Sequence, residues 1–186
     1  VEKQIYLIRH CQAEGQDPDA LLTDKGKKDA EKLADFLEDK GIEAIVSSPY
    51  LRAVQTATPL AKRLNLEIQT NKRFSERVLS TESLQDWLDC LKATFADFDL
   101  KFNGGESSRE ATRRAIDALH HYQSIGMTRF AVFTHGNLLT LLLHHFDTTY
   151  GFEAWRNLTN PDIFCLYAHP TGSYIKRIWQ DVSSNG

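Results

Sequence analysis

Cysteine is scarce: Cys11, Cys90 and Cys165 are the only three in 186 residues, and no two form a C-x-x-C pair. An odd, widely spaced set supports neither a disulfide framework nor a zinc ribbon, and predicts a reduced cytoplasmic protein. Long apolar runs are missing too. The longest, Leu138–Leu143, is interrupted by Thr140 and falls far short of the ~20 residues that cross a bilayer. The N-terminus passes from Glu2 and Lys3 straight into Ile5–Ile8 with no signal-peptide apolar region, so neither secretion nor a membrane partner is expected. There is no basic excess, since 22 Lys and Arg face 25 Asp and Glu for a formal net charge of −3. A general nucleic-acid binder would show a basic excess; no nucleic-acid partner is expected, and positive charge for an anionic ligand must be local. Ser/Gly-rich linkers, repeats and low-complexity segments are absent as well, which predicts one domain over residues 1–186.

What is present has the balance of an ordinary globular chain, 41% hydrophobic and 25% charged. A chain this long buries about 70% of its unfolded surface without needing cross-links. Short apolar runs at Ile5–Ile8, Ala44–Val46 and Phe130–Phe133 read as buried strands, with a shorter one at Leu66–Ile68. Between them lie helical stripes. Thr23 or Asp24 caps a helix carrying Ala30, Leu33, Ala34 and Leu37, with Gly41 ending it. Ser48–Pro49 opens another through about Leu64, which Pro59 is expected to kink or divide. An amphipathic helix is expected around Leu84, Trp87, Leu88 and Leu91, inside a mixed segment 76–105. Ser107 and Glu110 have capping-box spacing ahead of Ala111, Ala115, Ala118, Leu119 and Tyr122. Leu138–Leu143 continues a helix after the third strand, and Pro170–Thr171–Gly172 closes a hairpin between Ile163–Tyr167 and Tyr174–Trp179. Strands separated by helices predict an α/β sandwich with a mainly parallel sheet.

Three strands end in chemistry. The first runs into Arg9–His10, the second into Ser47, Ser48 and then Arg52, the third into Thr134, His135 and Gly136. In a parallel sheet those ends share one edge, where open α/β folds bind their ligand. Arg52 in the first turn of its helix and His135 just before another bring unpaired N–H groups and positive dipole ends. Two guanidinium groups and two imidazoles converging there suit phosphate, because arginine offers paired donors to its oxygens. Other phosphate chemistries fail on spacing. The residues six beyond Cys11, Cys90 and Cys165 are Asp17, Ala96 and Thr171, so no C-x5-R exists. Asp17–Pro18–Asp19 follows no apolar strand and reads as a turn, and no Walker loop, G-x-G-x-x-G or H-E-x-x-H occurs.

The segments LIRHCQAEG (7–15), LTDKG (22–26), SSPYLRAVQTA (47–57), SER (75–77), GGES (104–107) and THGN (134–137) resemble the histidine phosphatase superfamily, in its phosphoglycerate-mutase-like branch. The likeness runs in the family's order from the first strand to about residue 140. It implies a three-layer α/β/α sandwich with helices on both faces of a mainly parallel sheet, and residues 76–105 as a lid-like insertion. His10 would then be the nucleophile that forms a phosphohistidine, and Glu76 the proton donor to the leaving oxygen. Arg9, Arg52 and His135 would bind the non-bridging oxygens, with Cys11, Gln16 and Gly136 also lining the substrate. No cofactor or metal is required, since the cationic side chains supply the charge, and the partner is a small phosphorylated substrate.

Three positions depart from the family pattern. Cys11 replaces a glycine, Ala13 a serine or threonine, and Gln16 an asparagine. Cys11 can still offer its backbone N–H, while Gln16 keeps an amide. Two other readings follow: a weakly active or non-catalytic phosphate-binding module, and a phosphoglycerate-mutase-type phosphotransferase. The short segment after Glu76, with Lys92 and Lys101 among the aromatic Trp87, Phe95, Phe98 and Phe102, favours hydrolysis over mutase chemistry.

Overall fold

The structure is a computed structural model and describes residues 2–180. Six strands form one sheet: β1 (Lys3–Arg9), β2 (Ala44–Ser47), β3 (Ile68–Thr70), β4 (Arg129–Thr134), β5 (Asp162–His169) and β6 (Gly172–Arg177). Their order is β3-β2-β4-β1-β5-β6. The first four in that order run parallel, and β5 and β6 are antiparallel to their neighbours.

Strand periodicity decides the layers. Alternate residues point to opposite faces. On one face Ile5, Leu7, Val46, Phe130, Val132, Phe164 and Leu166 pack with the apolar stripes of α4 (Ser108–Ser124) and α5 (Gly136–Phe146). On the other, Tyr6, Ile8, Ile45, Ala131, Phe133 and Ile163 meet α1 (Asp24–Leu37) and α2 (Leu51–Leu64) through Leu33, Leu37, Ala53, Ala57 and Leu60. The result is the α/β/α sandwich, with both faces of the central strands dry. Two short helices, α3 (Trp87–Ala96) and α6 (Phe152–Arg156), complete it. Among the described residues no helix is long and apolar enough to cross a membrane.

Caps fall largely where the sequence places them. The Thr23 hydroxyl accepts from Gly26 N and that of Ser107 from Glu110 N, each at 3.0 Å. Gly26 also has a steric reason, because a Cβ there would collide with the Gln12 carbonyl. At α2 the expectation fails: the helix starts at Leu51 with Tyr50 as its cap residue, and Ser48 lies in the turn before it. Pro59 does not divide α2. The third strand begins at Ile68 rather than Leu66, and α3 begins at Trp87, beyond Leu84. Trp87 and Leu88 are exposed, and the helix buries Leu91 and Thr94.

Candidate active site

Strand register sets the edge on which the site is built. Arg9 at the end of β1 lies opposite Thr134 at the end of β4, and Ser47 opposite Phe133. The residues that follow therefore leave the sheet side by side. His10 donates its backbone N–H to the Thr134 carbonyl at 3.1 Å, and Asn160 donates its side-chain amide to the His10 carbonyl at 3.1 Å.

The His10 ring is buried and held at both nitrogens. Nδ1 lies 2.6 Å from the Cys11 carbonyl, which can only accept, so Nδ1 carries the proton. Nε2 is left with its lone pair and receives the Nε–H of Arg52 at 3.2 Å. Burial pushes the His10 pKa down to about 3; the Arg52 and Arg9 charges act the same way, against the Cys11 carbonyl. A neutral imidazole with a defined free nitrogen is what nucleophilic attack needs.

His135 stands edge-on to His10 with ring centroids 5.2 Å apart, and Tyr50 covers it at 4.9 Å. Its Nε2 is 2.8 Å from Ser48 Oγ, which also accepts from Tyr50 N. The arrangement in which Ser48 donates to Nε2 places the His135 proton on Nδ1. Burial first, then the neighbouring His10 and the charges of Arg52 and Arg9, hold His135 well below the usual histidine range. Arg52 is almost wholly buried and gives its Nη1 to the Gln16 and Asp17 carbonyls at 3.1 and 2.9 Å. Arg9 donates Nη1 to the Leu158 carbonyl at 3.3 Å and lies against Gly136, where a Cβ would stand 2.9 Å from its Nε.

Glu76 enters from the loop after the 3-10 turn Lys72–Phe74. Its carboxylate accepts from Arg77 N and Leu138 N through Oε1 (2.8 and 2.9 Å) and from Asn137 N through Oε2 (3.0 Å). It thus caps α5, taking two of the N–H groups, those of Asn137 and Leu138, expected to be free at that helix start. An ion pair with Arg73 or Arg77 is not among those of the described residues; Arg77 instead donates to the Glu106 carbonyl, Thr94 and Ser108. Burial lowers the pKa of both Arg9 and Arg52, and the charge of Glu76 opposes that lowering in each.

Five expected residues, Arg9, His10, Arg52, Glu76 and His135, therefore meet, and Gly136 serves by admitting Arg9. Two others take different positions. The Cys11 N–H donates to Thr56 Oγ1 at 3.0 Å and its thiol is buried with Leu22 and Ala30, so neither group is offered to a ligand. Gln16 is exposed and acts through its backbone carbonyl on Arg52 rather than through its amide. Sequence reading missed Asn160, Leu158 and Thr56, whose parts rest on a single side-chain amide, a backbone carbonyl and a single hydroxyl. It named Ser48 only as a strand-end residue and helix cap, without its hydrogen bond to His135.

One electrostatic feature joins these parts. Among the described residues the buried side-chain nitrogens and oxygens lacking a hydrogen-bond partner are Arg9 Nε, His135 Nδ1 and Asn137 Oδ1, all on this edge. Leaving such a group unpaired costs about 1–3 kcal/mol. Two of the three, Arg9 Nε and a protonated His135 Nδ1, are donors, while Asn137 Oδ1 can only accept. Donors held in reserve beside His10 suit an incoming oxyanion.

Comparison with known proteins places the chain in a family. The chain is 34% identical over 82 residues to phosphoserine phosphatase 1 of Hydrogenobacter thermophilus, covering 39% of this chain and 38% of that one. It is 28% identical over 171 residues to a probable phosphoglycerate mutase of Escherichia coli, covering 82% and 77%. Some of the curated relatives are matched over only about two fifths of their length (41% and 38%). Among solved structures, mycobacterial glucosyl-3-phosphoglycerate phosphatase in complex with inorganic phosphate superposes with a TM-score of 0.77 at 20% identity, covering 99% of this chain and 100% of that one. The profile of the histidine phosphatase superfamily (branch 1) matches residues 5–179. From the first strand to the last, then, this chain belongs to the histidine phosphatase superfamily, branch 1.

Proposed function

We propose that this chain is a metal-independent cytoplasmic phosphatase that hydrolyses a small phosphomonoester through a phosphohistidine. The observation that carries the reading is the His10 ring, with its proton fixed on Nδ1 and its Nε2 lone pair facing Arg52. In the first step the Nε2 lone pair attacks phosphorus, the ester P–O bond breaks, and the leaving oxygen takes a proton from Glu76. Oε2 of Glu76 accepts a single hydrogen bond and so keeps a lone pair for that proton. Arg9, Arg52 and His135 bind the non-bridging oxygens, where charge gathers in the transition state. In the second step Glu76, now a carboxylate, takes a proton from water, whose oxygen attacks phosphorus as the N–P bond breaks. Inorganic phosphate leaves and the lone pair returns to His10.

Residues 76–105 act as a lid-like insertion on a single domain, and their charges favour hydrolysis over mutase chemistry. Lys101 is paired with Glu110 at 2.9 Å, and Lys92 sits 5.8 Å above the Phe152 ring. Lys101 is thus engaged at the surface with Glu110 and Lys92 with the Phe152 ring, whereas holding an isomer for rebinding would require cations turned toward the substrate carboxylate. The test uses p-nitrophenyl phosphate with His10→Ala as control. Phosphate release should persist in EDTA, and quenched enzyme should carry acid-labile, base-stable phosphate that the control lacks. Activity equal in His10→Ala, or restored only by added Mg²⁺ or Zn²⁺, defeats the mechanism. Phosphate binding without turnover identifies the binding-module alternative, and conversion of 3-phosphoglycerate to its 2-isomer the mutase.

A further inference from the structure

Glu76 sits on a stretch without helix or strand, between the 3-10 turn Lys72–Phe74 and α3. No hydrogen-bond ladder holds its backbone, and the polar groups of such a stretch must find partners elsewhere. Two of its carbonyls find theirs in one arginine. Arg114, on the second turn of α4, donates Nη1 to the Arg73 carbonyl at 2.6 Å and Nη2 to the Glu76 carbonyl at 3.4 Å. Its remaining edge is clamped by Glu106, with Nε–Oε1 at 2.6 Å and Nη2–Oε2 at 3.0 Å. The same Glu106 carboxylate accepts from Val78 N at 3.0 Å. The Phe74 carbonyl, between these anchors, accepts from Thr134 Oγ1 at the end of β4 (2.7 Å).

The segment 73–78 is thus fastened on the helix side by the Arg114–Glu106 pair and on the sheet side by Thr134. The planar guanidinium can bridge two carbonyls and a carboxylate at once because its five donors lie in a fixed fork, which a lysine ammonium lacks. Side-chain accessibilities of 22% for Arg114 and 24% for Glu106 keep the pair partly shielded from solvent.

We infer that Arg114, clamped by Glu106, is the positioning residue of the proton-transfer step: it touches neither substrate nor phosphorus and acts by holding Glu76 at the leaving oxygen. The inference rests on the assignment of Glu76 as acid and base. It requires that loss of Arg114 damage the part of the reaction that needs a proton and spare the part that does not. A purely structural role would slow every substrate alike.

The experiment compares wild type, Arg114→Gln, Arg114→Lys, Glu76→Gln and the Glu76→Gln/Arg114→Gln double variant. The probes are phenyl phosphate, a poor leaving group, and p-nitrophenyl phosphate, a good one. Arg114→Gln should slow phenyl phosphate turnover by about 10–100-fold, the scale of a misplaced catalytic group. Its nitrophenol burst, which reports phosphorylation of His10, and its inorganic phosphate affinity should stay within about twofold of wild type. Arg114→Lys should behave like Arg114→Gln, since the charge is kept and the fork lost; it also serves where the glutamine variant does not fold. The double variant should be no slower than Glu76→Gln alone. Equal losses on both esters in the pre-steady-state phosphorylation of His10, the step that differs between them, or a double variant slower by the product of the single losses, overturn the inference while leaving Glu76 in place. A Glu76→Gln variant that hydrolyses phenyl phosphate at the wild-type rate overturns the underlying assignment, and Arg114 with it.

Discussion

Arg52 donates its Nε–H to Nε2 of His10, the ring nitrogen left without a proton, at 3.2 Å. A cation beside that lone pair opposes its protonation. In the mechanism proposed above, the Arg52 donor passes from the lone pair to an oxygen of the ligand when phosphorus comes to Nε2.

The pH dependence of stability follows from this burial. The folded-state pKa of His10 lies near 3, below the ~6.5 of an unfolded histidine. The unfolded chain therefore binds the extra proton first. Stability from the neutral ring is full above about pH 6.5 and is lost as pH falls toward about 3. Thermal unfolding of wild type should show Tm dropping across this window, and His10→Gln should flatten the drop. An identical slope in both proteins shows that other groups set the acid sensitivity.

Arg52→Lys keeps the charge and loses both the Nε–H to His10 and the fork to the Gln16 and Asp17 carbonyls. The expected fall in kcat/KM is about 10²–10³-fold, the scale of losing a transition-state oxyanion donor. Inorganic phosphate should raise the Tm of wild type and fail to raise that of the variant. Retention of both properties means that position 52 needs only a positive charge.

Gly136→Ala separates activity from stability. The new Cβ would stand 2.9–3.1 Å from the Arg9 guanidinium, so that flexible end must shift. Alanine is also the better helix former, by roughly 1 kcal/mol. The variant should melt no lower than wild type and yet lose about 10-fold or more in kcat/KM through misplaced Arg9. A lower Tm with normal turnover reverses the assignment.

The thiols should prove irrelevant to the reaction. Burial pushes Cys11 up to about 12 and Cys165 up to about 11, while Cys90 is only half-buried. Iodoacetamide under native conditions should label Cys90 and leave Cys11 and Cys165 intact, with activity preserved. Inactivation that tracks labelling of Cys11 contradicts the geometry, since that thiol packs against Leu22 and Ala30.

Much of the fold was legible because it rests on local periodicity. The alternation in Ile5–Ile8 and the stripe Ala111, Ala115, Ala118 and Leu119 follow directly from which faces must be dry. The start of α2 was misread because Ser48 and Pro49 carry a strong local capping signal. In the structure the Ser48 hydroxyl serves His135, 87 residues away, and Tyr50 becomes the cap residue. Pro59 promised a break, yet α2 runs on through it. Packing of Ala53, Ala57, Leu60 and Ala61 on both sides of Pro59 holds the helix against the sheet.

The sequence by itself placed Arg9–His10 and His135 at the ends of two strands and Arg52 in the helix after a third, and its motifs carried the resemblance to the family, which implied the parts of His10 and Glu76. The placements follow from short-range periodicity along the chain, and the implied parts from the order of the motifs. Only the tertiary structure decided which nitrogen of His10 is free, that the Cys11 amide is spent on Thr56, and that Glu76 caps α5 while Arg114 fastens its loop. Each of those depends on donors and acceptors meeting across 38 to 62 residues of chain, or on a carbonyl turned toward a ring. Backbone groups are the same in every residue, so their partners become visible only once the sheet register has brought the segments together.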